Sequence, residues 1–154
     1  MRQGKLALLL STLLLAGCGG EEASAPAEAE GPRIVIETGA GDVDVQVEIA
    51  DSEEERAVGL MNRESLDDDA GMVFLFPEPA SGGFWMKNTL IPLSIAFADG
   101  QGRILRILDM DPCRADPCEV YDPGVAYRSA LEVNQGAFAE WGVDEGDRLR
   151  LERS

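Results

Sequence analysis

Histidine is absent from the chain. Its absence excludes the Ser-His-Asp and Cys-His nucleophile systems, zinc sites built on imidazole, and the side chain most often used for proton transfer near neutral pH. Any catalysis would have to rest on lysine, tyrosine or carboxylates. Positive charge is scarce as well, with 13 Lys and Arg against 29 Asp and Glu and a formal net charge of -16. Without a basic stripe, phosphate backbones and anionic lipid surfaces repel the chain, so nucleic acid is not expected as a partner. A membrane-spanning run is lacking too. The apolar and small-residue stretch from Leu6 to Gly17 falls short of the ~20 residues that cross a bilayer.

That stretch fits a secretory signal instead, since Arg2 and Lys5 precede it and Cys18 follows. Leu15-Ala16-Gly17-Cys18 resembles the bacterial lipobox, in which the signal is cut before the cysteine and the thiol receives a diacylglycerol. The resemblance implies a signal peptide over 1–17 and a lipidated, palmitate-bearing Cys18 at the mature N-terminus. The lipid bilayer is then a partner through the acyl chains. In such lipoproteins of double-membrane bacteria, aspartate in second place marks retention in the inner membrane. Gly19 stands there, which points to the periplasmic face of the outer membrane. Residues 18–32 continue as "CGGEEASAPAEAEGP", too polar and too rich in Gly and Pro to build a core. They read as a disordered acidic tether, about 50 Å long at full extension.

Residues 33–153 have the length of a single globular domain. "RIVIE" and "DVDVQVEIA" flank a Gly-containing connector, and Val43, Val45, Val47 and Ile49 alternate with polar residues. This predicts a hairpin with one wet face. Ser52 followed by Glu55 is a capping-box signature that predicts a helix from Glu53 to Leu60 or Met61. "GMVFLF" reads as a strand, "PEPASGG" as a turn, and "FWMKN", "IPLSIAFAD" and "RILRILDM" as successive strands, the last two a hairpin. Neither face of "IPLSIAFAD" is strongly polar, so it should be covered on both sides. "VAYRSALEV" predicts a strand, "NQGAFAEWGV" a short helical turn and "DRLRLER" a last strand. Strands dominate without regular helix alternation. The fold class is therefore α+β, mostly antiparallel, a barrel-like or sandwich sheet with one or two short helices.

Cys113 and Cys118 lie in the Pro- and Asp-rich loop "MDPCRADPC". In an exported domain they read as a disulfide closing a short loop, worth about 2 kcal/mol. The zinc alternative has no second half-site, and the spacing is not that of a Cys-X-X-Cys redox pair. Asp67, Asp68 and Asp69 lack the order of a calcium loop and read as a solvated turn. Met61, Met72, Met86 and Met110 could offer thioethers to Cu(I). They are scattered singly, and core packing is the stronger reading.

Taken in order, "RAVGLMNRESL", "GMVFLF", "FWMKNTLIPLSIAF", "ALEVNQG" and "GVDEGD" resemble the bacterial and archaeal family known as domain of unknown function 192. The resemblance covers about residues 34 to 150, and the "FWMKNT" block is distinctive for it. It implies a compact β-rich domain, often exported, with no settled activity. The family pattern commonly has aspartate where this chain has Ser94, so any chemistry resting on that carboxylate would be missing here.

"FWMKNT" also carries the candidate site. As a strand it would place Phe84, Met86 and Asn88 on one face and Trp85, Lys87 and Thr89 on the other. Trp85, Lys87, Asn88 and Thr89 could grip a small polar or anionic ligand, with Glu132 as the counter-charge of Lys87. Each of them singly is more often a core or snorkelling residue. No nucleophile, base and orienter stand at recognisable spacing, so a non-enzymatic binding or accessory domain without a cofactor or metal is expected. The alternatives are a histidine-free enzyme using Lys87 and a carboxylate, and Met-based Cu(I) binding.

Overall fold

The computed structural model describes residues 31–153. The expected signal, Cys18 and nearly all of the tether lie outside the described residues. The chain opens with the expected hairpin. Strand β1, Arg33–Thr38, pairs antiparallel with β2, Gly41–Ala50, in a register that sets Ile36 opposite Val43 and Thr38 opposite Gly41. Gly41 sits at φ 137, a conformation open to a residue without Cβ.

Helix α1 is Glu53–Val58, with both arms of the Ser52–Glu55 capping box formed. It ends two to three residues earlier than the sequence predicts. Gly59 adopts φ +50 and its N–H closes onto the Glu55 carbonyl, while a Cβ there would stand 3.2 Å from the Phe74 ring. The turn drives Leu60 into the core at 2 % exposure, although no residue of α1 itself is buried. This helix carries the crossover that makes β3, Ala70–Ala80, parallel to β2. The structure thus extends β3 through the segment expected to be a turn. Its pairing with β8, Tyr127–Asn134, shifts between Leu75 and Ala80, where Pro77 and Pro79 lack N–H groups. Arg128 takes up the slack, donating to the carbonyls of Phe76 and Pro77.

Strands β5, Leu93–Ala98, and β6, Ile104–Met110, form the expected hairpin. Strand β8, Tyr127–Asn134, runs antiparallel between β5 and β3. Helix α2, Ala137–Glu140, and strand β9, Arg148–Glu152, complete the domain. A separate two-stranded ribbon pairs β4, Phe84–Trp85, with β7, Val120–Tyr121. The main sheet has seven strands in the order β6-β5-β8-β3-β2-β1-β9. It curls into a half-barrel whose outermost strands meet at one end, where Leu149 N–H donates to the Gly102 carbonyl at 2.7 Å and Ile104 N–H to that of Asp147.

The sheet carries a buried core on each face. The concave core takes side chains from all seven strands, among them Ile36, Val45, Val73, Leu131 and Leu149, and Phe138 of α2 plugs it. The convex core lies over β3, β5 and β8, with Ala50 of β2 and Met110 of β6 at its margins, and is covered by Leu60 and Met86. All six residues of β5 are therefore buried, as expected of a strand covered twice. Burying a side chain such as Phe97 contributes roughly 1.5–3 kcal/mol. Met72, Met86 and Met110 are packing residues of the convex core.

Candidate functional site

The "FWMKNT" segment is the lid of the convex core. Phe84 is fastened to the sheet by edge-on contacts with Phe74 and Phe97, ring centroids 5.0 and 5.6 Å apart, each worth about 0.5–1.5 kcal/mol. Strand alternation holds for three residues. Phe84 is half-buried, Trp85 is 54 % exposed, and Met86 is buried. The chain then leaves the strand, which corrects the expected alternation through residue 89. Thr89 N–H bonds back to the Met86 carbonyl, and Asn88 takes φ 58, a left-handed conformation that Asn tolerates better than most residues. The reversal turns Thr89 inward and leaves Asn88 on the surface. Asn62 N–H anchors the Asn88 carbonyl at 2.8 Å, and the Asn88 amide reaches the Met61 sulfur at 3.9 Å.

Lys87, in this turn, forms no ion pair with Glu132. Its ammonium lies 3.7 Å from Asp116 and 5.6 Å from the centre of the Trp85 ring. The counter-charge is thus Asp116, which corrects the expected pairing with Glu132. Asp116 sits between Cys113 and Cys118, which are bridged as expected. Sequence reading passed over it as one more acidic loop residue, although its place between two bridged cysteines marks it as a held one. The two sulfurs and the Asp116 carboxylate cluster closely, but sulfurs bonded to each other are not thiolate ligands.

Glu132 lies beneath the lid. It stands on β8 between Met72 of β3 and Ile95 of β5, and is 5 % exposed. Burial alone pushes its carboxyl up to about 8. With no cation close enough to pull it back, the group is mostly protonated at neutral pH. Glu132 and Thr89 open onto one narrow pocket of about 40 Å³, walled by Leu60, Phe74 and Phe84 and rimmed by Trp85 and Arg56. Neither Lys87 nor Asn88 lines it. Of the five residues expected to form the site, the structure therefore brings Trp85, Thr89 and Glu132 together and sets the other two aside.

Buried polar side chains distinguish this pocket from others. Among the described residues they are Thr89, Ser94 and Glu132. Ser94 donates to Asp109 at 2.5 Å and accepts from Gly136 N–H at 2.9 Å. Asp109 is the cross-strand partner of Ser94 on β6, so a carboxylate stands beside this position after all, supplied from the neighbouring strand. The side chains of Thr89 and Glu132 have no hydrogen-bond or ion-pair partner among the described residues. A larger groove of about 480 Å³ runs between α1 and the sheet. Three of its four charged side chains are engaged: Arg63 grips Glu48 through both nitrogens, at 2.5 and 2.7 Å, and Glu55 is held by the cap, while Glu54 is exposed.

Two solved structures share this architecture. A protein from Sinorhizobium meliloti 1021, proposed to be a transcription regulator, is 33 % identical with a TM-score of 0.72, covering 80 % of this chain and 97 % of its own. A protein of unknown function from Novosphingobium aromaticivorans DSM 12444 is 31 % identical with a TM-score of 0.69, covering 77 % and 83 %. No curated protein matches the chain. The family model of domain of unknown function 192, described as an uncharacterized ACR, matches residues 34–151. That match spans the hairpin, the lid, the pocket strand and the last strand alike, and the chain belongs to this family.

Proposed function

We propose that this protein is a non-enzymatic binding or accessory domain of the cell envelope, held at the periplasmic face of the outer membrane by acyl chains on Cys18, and that it binds a small polar ligand in the pocket beneath Trp85 and Thr89. The observation that carries the reading is the pair of buried polar groups, Thr89 and Glu132, that share one pocket and have no partner among the described residues. Buried polar groups are ordinarily paired, and a ligand would supply what the fold does not.

The enzymatic alternative has less support. Lys87 is engaged by Asp116 at a surface, and the Ser94 hydroxyl is spent on Asp109, so no activated nucleophile faces the pocket. A role in transcription, proposed for the S. meliloti protein, does not suit a chain of net charge -16.

A thermal-shift ligand screen on residues 31–154 tests the site, because a bound ligand raises apparent stability by mass action. A hit should lose its effect in Glu132→Gln and weaken in Trp85→Ala. Hits indifferent to both substitutions would defeat the assignment. The tether is tested separately: Cys18→Ser should move the full-length protein out of the membrane fraction, and unchanged fractionation would remove the anchor from the proposal.

A further inference from the structure

We infer that the pocket between Glu132 and Thr89 takes the primary ammonium group of its ligand. The inference rests on the binding-site reading above and names the chemistry of the ligand's buried end. Size comes first. A volume of about 40 Å³ holds a group of two or three non-hydrogen atoms, given that one water needs ~10–15 Å³. A methylene bearing an ammonium fits, whereas a trimethylammonium or a guanidinium does not.

Donor and acceptor matching comes next. The floor presents the Glu132 carboxyl and the Thr89 hydroxyl, both acceptors without a partner among the described residues. An ammonium has three donors and no acceptor, so it satisfies both groups and brings the charge that a buried carboxylate requires. The walls agree, because Phe74, Phe84 and Trp85 surround the opening and aromatic faces attract cations. An anionic end would find only the O–H of protonated Glu132 and that of Thr89 as donors and would forbid ionisation of that carboxyl, though Lys87 beside the rim could meet it outside.

The nearest cations are restrained. Arg56 lies on the rim, but its guanidinium donates to the carbonyls of Asp51 and Leu75, at 2.6 and 2.9 Å, and stacks 5.2 Å from the Phe76 ring. Lys87 is drawn to Asp116. Among the described residues, Arg56 and Glu132 are the charged side chains that line the pocket.

Proton balance makes the inference measurable. The Glu132 carboxyl is protonated at neutral pH, because burial raises it to about 8. Binding an ammonium ionises it, and its proton leaves to solvent. Affinity should therefore rise about tenfold per pH unit below 8 and level off above it, until the amine itself deprotonates near ~10.

The mature full-length chain is titrated with ethylammonium chloride, and NMR shifts are followed at Thr89 and Leu60. Tetramethylammonium chloride, ethanol and sodium acetate serve as parallel probes at matched ionic strength. Ethylammonium should give saturable shifts that weaken about tenfold between pH 7 and pH 6. They should vanish in Glu132→Gln and weaken in Thr89→Val, while the other probes give none. If ethanol or acetate saturates the same residues as tightly in a Glu132-dependent way, the ammonium assignment falls and the binding site stands. If no probe saturates, the ammonium assignment falls as well, and the binding-site reading is then decided by its own requirement of a Glu132-dependent hit in the screen.

Discussion

On the concave face of the sheet the buried polar side chain is Ser94, and it is used twice, as donor to Asp109 and as acceptor for Gly136. On the convex face Thr89 and Glu132 are buried too, though they keep slightly more access than Ser94, and neither has a partner among the described residues. The coverings differ in the same sense. The concave core is enclosed by seven strands and the plug of α2. The convex core is covered by a two-residue ribbon, a left-handed turn at Asn88 and a bridged loop. Burial therefore comes with satisfied hydrogen bonds on one side and leaves two polar groups facing a pocket on the other.

The largest effect that would break this contrast is the pH dependence carried by Glu132. The folded carboxyl keeps its proton up to about 8, whereas the unfolded one loses it near 4.5. Between those values the folded state binds more protons, so the group's contribution to stability is complete below pH 4.5 and is lost as pH climbs to 8. The change is on the order of 4 kcal/mol. Urea unfolding of wild type and Glu132→Gln at pH 5 and pH 8.5 should show the variant gaining relative stability with pH. Parallel curves would mean that Glu132 is not a buried neutral acid.

Next in size is the concave pair. Ser94→Ala removes two hydrogen bonds whose partners, Asp109 and Gly136, can still reach water, and should cost about 1–2 kcal/mol by denaturant unfolding. Thr89→Val removes a hydroxyl that bonds to nothing described, so its cost should stay within about 0.5 kcal/mol, or the change should stabilise. Equal costs at the two positions would erase the distinction between the faces. Smallest is Lys87→Ala, which breaks an ion pair whose partner Asp116 is 77 % exposed. It should shift stability by less than about 0.5 kcal/mol. A loss of several kcal/mol would place Lys87 in the core of the lid instead.

Much of the fold was legible in the chain. Alternation in β2, the Ser52–Glu55 box and the two apolar faces of β5 are local patterns, and local geometry decided them. The family blocks likewise pointed to the β-rich architecture that the structure displays. What escaped reading depends on meetings between distant segments. Gly59 ends α1 because Phe74 lies against it. β3 continues through two prolines because Arg128 serves their side of the ladder. The site was half visible for the same reason. Trp85, Thr89 and Glu132 share a pocket, but a turn at Asn88 reverses the facing of residues 87 to 89, and nothing in a strand pattern announces one left-handed residue. Nor does spacing say that Lys87 would find its carboxylate inside the loop of Cys113 and Cys118.

The half-barrel stops short of closing, and this has a bearing on self-association. An open sheet offers two strand edges on which a second molecule could continue the ladder. Here β9 is only five residues long and its first residues are engaged by the turn at Gly102. On β6 the Ile107 N–H is already met by the Glu145 carboxylate, which also pairs with Arg106. Another chain would have to displace these contacts before zipping on. Molecules anchored in a membrane collide at high local density and in restricted orientations, the conditions under which unguarded edges polymerise. On the membrane proposed above, the blunted rims of this sheet would work against such growth.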